Sequence, residues 1–140
     1  MSQALGSQTS PADAVRDYDE VHRVVQLFLD GESKGDAAKL REASHPDARM
    51  FGSVGATRYD MPIADFIELA AKEPGDTGNH RARILSVQQT GDAAVAEVAE
   101  EGYWGSLSFI DYFQLARIEG AWKVVSKLFA HTGGDMPPST

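Results

Sequence analysis

Two short segments in the second half of the chain constrain its fold more than any others. "QQTGDAAV" and "ARIEGAWK" place the turn-forming pairs Gly91-Asp92 and Glu119-Gly120 between alternating runs rich in β-branched and aromatic residues. Pairs of this kind suit two-residue hairpin loops, which join antiparallel neighbours. The runs Arg83 to Gln89, Ala93 to Glu100, "SLSFIDYFQLARI" and "AWKVVSKLFAH" are therefore predicted to form an antiparallel meander. The first half reads differently. Ser10-Pro11-Ala12-Asp13 supplies an N-cap, a proline at the first helical position and an acid in the first turn. Tyr18, Val21, Val25, Phe28 and Leu29 then recur every three or four residues, which predicts a helix ending near Lys34-Gly35. Asp36 can cap a shorter helix through Ala43, "HPDARMFGSV" reads as a turn and a short strand, and "MPIADFIELAAK" has helical spacing at Ile63, Phe66, Ile67 and Ala70. "EPGDTGNH" has the composition of a mobile loop. Helices followed by a meander make an α+β fold. One domain is expected over residues 10–132, between disordered tails at 1–9 and 133–140.

Charge and motifs narrow the function. The formal net charge of −8 would repel a phosphate backbone, so nucleic acid is not an expected partner. No run of about 20 apolar residues suggests a membrane span, and the start "MSQALGSQTSPADA" lacks the basic and apolar regions of a secretory signal, so a cytoplasmic location is expected. The chain has no cysteine, which excludes disulfides and thiolate chemistry. His22, His45, His80 and His131 show no ligand-like spacing, and neither a phosphate-binding glycine loop nor a Gly-x-Ser-x-Gly elbow is present. No metal or other cofactor is expected.

"SFIDYFQL" is the exception to an otherwise ordinary strand pattern, because it sets Asp111 among aromatic and branched residues. Burying an ionised carboxylate costs several kcal/mol unless hydrogen bonds or a cation compensate. With Glu119-Gly120 as a two-residue turn, Ile118 faces Ala121, and the same register sets Tyr112 opposite Lys127, Ile110 opposite Phe129 and Ser108 opposite His131. Asp111 would then share its face with Phe109, Phe113, Leu115, Trp122, Val124, Ser126 and Leu128; a single bulge would exchange these assignments along part of the strand. Both faces carry large apolar groups, and helices can cover only one. The convex face is therefore expected to pack against a second copy.

The segments "VVQLFLDGESKGDAAKLREASHPDARMFG", "ARILSVQQTGDAAVAEV" and "FIDYFQLARIEGAWKVVSKLF" resemble the "putative lumazine-binding" branch of the nuclear-transport-factor-2-like superfamily, from about Tyr18 to His131. The resemblance implies a curved antiparallel sheet wrapped around a long N-terminal helix in a cone with a pocket at its open end, and dimers. The superfamily includes SnoaL-like cyclases, ketosteroid isomerases, dehydratases and binding modules, so fold alone names no reaction. Where isomerases carry an oxyanion-hole tyrosine this chain has Phe28, and where they carry the catalytic aspartate it has residues near Gly52; only their second acid has a counterpart, at Asp111-Tyr112.

Candidate ligand-binding residues are Phe28, Phe51, Tyr59, Phe66, Trp104, Asp111, Tyr112, Lys127, Phe129 and His131. The ordinary readings are a hydrogen-bonded structural acid for Asp111, a snorkelling Lys127, a solvated His131, a turn residue for His45 and core packing for the aromatics. The functional readings are a binding module for a planar, heteroaromatic small molecule, a cofactor-free lyase or isomerase using Asp111 or His131 for proton transfer, and a dimeric assembly module with a vestigial pocket.

Overall fold

A computed structural model describes residues 11–137. Ser10, the expected tail 1–9 and the end 138–140 lie outside the described residues. The chain forms helix α1 (Pro11–Lys34), helix α2 (Ala37–Ala43), strands β1 (Ser44–Val54) and β2 (Thr57–Pro62), helix α3 (Ile63–Lys72), and strands β3 (Asp76–Thr90), β4 (Ala93–Tyr103), β5 (Leu107–Ile118) and β6 (Ala121–Gly133). Asp36 caps α2 by accepting from the Lys39 amide at 3.2 Å, as its side-chain chemistry predicts. The six strands run in the order β2-β1-β6-β5-β4-β3; β1 and β6 are parallel and the other pairs antiparallel.

Both hairpins turn where the sequence predicts: Thr90 pairs with Ala93 and Ile118 with Ala121. Glu119 and Gly120 both have positive φ, the backbone shape whose twist matches paired strands. From the second turn the expected register holds as far as Leu115 and Val124, and beyond them it fails. Leu115 pairs with Val124, but Gln114 pairs with Ser126, so Val125 is an extra residue on β6. From there Phe113 faces Lys127, Asp111 faces Phe129 and Tyr112 faces Leu128. The bulge moves Lys127 onto the face of Asp111 and turns Leu128 and Ser126 to the other.

Two further expectations are corrected. The second half of "EPGDTGNH" is not a loop but the start of β3, where Asp76 accepts from the Gly78 amide at 2.8 Å and the His80 amide at 3.3 Å. β2 was hidden because its alternation is weak; Gly55, at φ +57°, makes the turn that pairs Val54 with Thr57.

The buried face of α1 presents Val21, Val24, Val25, Phe28 and Leu29 to the inside of the curved sheet. Phe28 stacks on Phe66 of α3 at 5.9 Å and meets the edge of Phe113 on β5 at 5.0 Å. One end of this core holds a buried acid with partners of its own. Asp17 Oδ1 receives Arg117 at 2.8 Å and the Trp122 indole at 3.5 Å, tying α1 to the β5–β6 hairpin.

Candidate functional site

At the other end of the core lies a second buried polar group, three acids with a histidine and a lysine, assembled from α1 and four strands. Glu32 falls four residues after Phe28, so the apolar stripe of α1 carries it inward. Glu100 follows Ala94, Ala96 and Val98 on the buried parity of β4, and Asp111 lies between Phe109 and Phe113 on the buried parity of β5. In the sheet register Glu100 pairs with Phe109 and Lys127 with Phe113, so both flank Asp111 diagonally on one face. His80 enters from β3. Gly102 permits that approach, because it adopts φ +73° and a Cβ there would lie 2.2 Å from the Asn79 carbonyl oxygen.

The contacts are short and buried. Lys127 Nζ donates to Glu32 Oε1 at 2.6 Å and lies 4.0 Å from Glu100 Oε2. It also stands 5.0 to 5.7 Å from the ring centroids of Phe66, Phe28 and Phe113. His80 Nε2 meets Glu100 Oε1 at 2.7 Å, and its Nδ1 meets Ser33 Oγ at 3.1 Å. Asp111 is fully buried, and no N–H or hydroxyl group donates to either of its oxygens; its one hydrogen-bonding neighbour is the Glu100 carboxyl. Two ionised carboxylates cannot hydrogen-bond each other, whereas one proton between Glu100 and Asp111 would join them.

Protonation follows from that environment. Burial, reinforced by the neighbouring Glu100 carboxylate, pushes the Asp111 carboxyl well above the usual carboxylate range. Burial raises Glu100 as well, with Glu32 adding to the effect. Glu32 is raised by burial in spite of Lys127. Burial alone would lower Lys127, but the carboxylates of Glu32, Asp111 and Glu100 together outweigh it and keep the ammonium charged. Tyr103 is also held neutral, first by burial and then by these acids.

A cavity of about 40 Å³ opens onto this cluster. Asp111, Glu100 and Lys127 form its polar wall, and Tyr59, Phe66, Tyr103, Trp104, Phe109 and Phe129, with Met50 and Leu69, form the rest. Tyr59 and Trp104 are half-buried and form its rim. Of the expected ligand-binding residues, Tyr59, Phe66, Trp104, Asp111, Lys127 and Phe129 meet here, with Phe28 packed beneath Lys127. Three do not. Tyr112 and Phe51, 42% and 44% exposed, sit on the outer face because of strand parity. His131 is removed from the cavity and its Nε2 donates to the Gly133 and Gly134 carbonyls at 2.8 and 2.7 Å.

Glu32, His80 and Glu100 were not singled out from the sequence. For the two glutamates a signal existed: each is a charge on the buried period of its element. The donor atoms of Glu32, His80 and Glu100 lie within 4.8 Å of one another, a spacing that could hold a metal ion, but Lys127 already supplies a cation to Glu32. A separate groove of about 500 Å³ runs between α2, β1 and α3, with His45 at its edge. His45 lies in β1, not in a turn, and its Nδ1 accepts from the Asp47 amide at 3.0 Å.

Comparisons with known proteins agree with this architecture. The family model described as "Putative lumazine-binding" matches residues 16–130. The aldolase FrzH of Cladobotryum sp is 22% identical over 113 residues, covering 81% of this chain and 90% of its own length. A solved NTF2-like protein from Shewanella baltica OS155 superposes with a TM-score of 0.76 at 27% identity, over 86% of this chain and 97% of its own. A second, from Methylobacillus flagellatus KT, gives 0.76 at 28% identity, over 84% and 94%. Among the described residues no helix is long and apolar enough to cross a membrane.

Proposed function

The chain belongs to the "Putative lumazine-binding" family, and from that membership we propose that its cavity binds a small, planar, partly apolar molecule whose polar edge meets Asp111 and Lys127. The observation that carries this reading is Asp111 itself. A fully buried carboxyl whose one hydrogen-bonding neighbour is a second buried acid, Glu100, is costly to keep. Its counterpart Asp17, in the same core, is supplied with Arg117 and Trp122. An acid left open at the wall of an aromatic cavity has a use once a ligand completes its hydrogen bonds. A thermal-shift screen of heteroaromatic compounds tests the proposal. Hits should be lost in the double variant Asp111→Asn, Lys127→Met while the domain stays folded. Normal binding by that variant would leave Asp111 as a structural acid.

The similarity to an aldolase favours a second reading, a cofactor-free lyase in which Asp111 moves a proton and Lys127 stabilises an enolate. Lys127 suits a fixed positive charge better than a Schiff-base nucleophile, because the acids around it keep it protonated. His131 is a poor proton carrier here, since both of its Nε2 contacts are carbonyls that require it to donate.

We also propose a homodimer through the convex face. Phe51, Leu128 and Tyr112 are lateral neighbours across β1, β6 and β5, each more than two-fifths exposed, and together they form an apolar row that water would disfavour. Light scattering at micromolar concentration should give a dimer for the native chain and a monomer for Leu128→Glu. A monomeric native chain would refute the interface.

A further inference from the structure

We propose that the cavity selects a planar organic cation, such as an amidinium or protonated amine on an aromatic ring, over a neutral or anionic molecule of the same shape. This rests on the reading of the cavity as a ligand site and adds the charge of its occupant. The argument begins with a count. Three carboxyl groups, Glu32, Glu100 and Asp111, are buried around the site. Lys127 is one cation, and it is committed to Glu32 at 2.6 Å. Even with His80 counted as positive, through its 2.7 Å contact with Glu100, two cations face three acids. The acid left over is Asp111, which lies at the cavity wall with no cation of its own and only the Glu100 carboxyl as a hydrogen-bonding neighbour.

The remaining walls point to the same ligand class. Tyr59, Phe66, Tyr103, Trp104, Phe109 and Phe129 are the aromatic lining, and ring faces attract cations. The molecule already uses this attraction inside the site, since Lys127 Nζ lies 5.0 Å from the centroid of Phe66. A cavity of about 40 Å³ suits a flat charged head group, with the attached ring resting at the Tyr59 and Trp104 rim. An amidinium also matches a carboxylate in geometry, offering two parallel N–H donors to its two oxygens.

Without a ligand, a proton between Glu100 and Asp111 serves as the compensating cation. An organic cation takes its place, so binding releases that proton to the buffer and strengthens as pH rises. The groups that set this exchange are Glu32 from α1, His80 from β3, Glu100 and Tyr103 from β4, Asp111 from β5 and Lys127 from β6.

Benzamidine, benzamide and benzoate test the proposal, because they are nearly isosteric and carry positive, zero and negative charge. Calorimetry with the full chain at about pH 7.5 should find benzamidine bound at least about tenfold more tightly than benzamide, with benzoate weakest. Its binding enthalpy should depend on the ionisation enthalpy of the buffer, reporting proton release. Asp111→Asn should abolish the preference for benzamidine without weakening benzamide. Benzamide or benzoate binding as tightly as benzamidine overturns the inference while leaving the cavity a ligand site. Failure of all three to bind, together with an empty thermal-shift screen, overturns both.

Discussion

Lys127→Met is expected to lower the melting temperature by roughly 10 to 20 °C near neutral pH, from a loss of about 3–5 kcal/mol for breaking a buried ion pair in a domain of this size. Methionine preserves most of the length of a side chain whose tip lies over the rings of Phe28, Phe66 and Phe113, so packing alone should cost little. What is lost is the cation 2.6 Å from Glu32 and 4.0 Å from Glu100, leaving those buried acids and Asp111 without an ammonium partner. Two accompanying measurements separate this cause from a packing defect. The deficit should shrink in acid, where the carboxyls take up protons and no longer need the ammonium. Glu32→Gln combined with Lys127→Met should recover much of the loss, because it removes the stranded charge as well. A deficit independent of pH and untouched by the second substitution would assign Lys127 a packing role only.

Asp111→Asn should raise stability at about pH 8 by roughly 1–3 kcal/mol, the usual penalty of an unsatisfied buried polar group, and change it little at about pH 4. The sign comes from proton counting. In the unfolded chain carboxyls ionise near pH 4, whereas in the folded chain Asp111, Glu100 and Glu32 are all shifted upward, so above about pH 4 the folded state holds more protons. Stability therefore falls as pH rises through that window, and removing Asp111 should flatten the fall. Lys127 is shifted up too, but its contribution is lost only above its ordinary value of 10.5. Asp76 runs the opposite way: the Gly78 amide, Lys34 and the His80 amide hold its carboxyl down at about 2. Its contribution disappears as pH falls from about 4 toward about 2, and for a pair formed with the exposed Lys34 it is small. Thermal melts from about pH 4 to pH 8 should show the native chain losing stability toward the alkaline end. A native melting temperature that climbs steadily over that range, or an Asp111→Asn variant parallel to it, would show that Asp111 is ionised without strain.

Much of this fold could be read locally because its signals are local. A two-residue turn needs particular backbone angles, so Gly91-Asp92 and Glu119-Gly120 marked both hairpins without reference to the rest of the chain. The period of Val21, Val25 and Phe28 defined the inner face of α1 in the same way, and the strangeness of an acid in "SFIDYFQL" was visible from its neighbours alone. The registers were not local. A bulge at Val125 depends on how β6 fits at once against β5, β1 and the helix, and that one residue decides whether Lys127 joins Asp111 or turns away. His80 was masked by the loop-like composition around it, which pairing with β4 overrides. Glu32 and Glu100 sat on buried periods in plain view, but nothing in either segment indicates that they meet. The sequence by itself determined the α+β order, the hairpins and the presence of an acid that needs a partner. Only the tertiary structure decided which charges share its buried surroundings, because that count depends on strands far apart in the chain converging on one face.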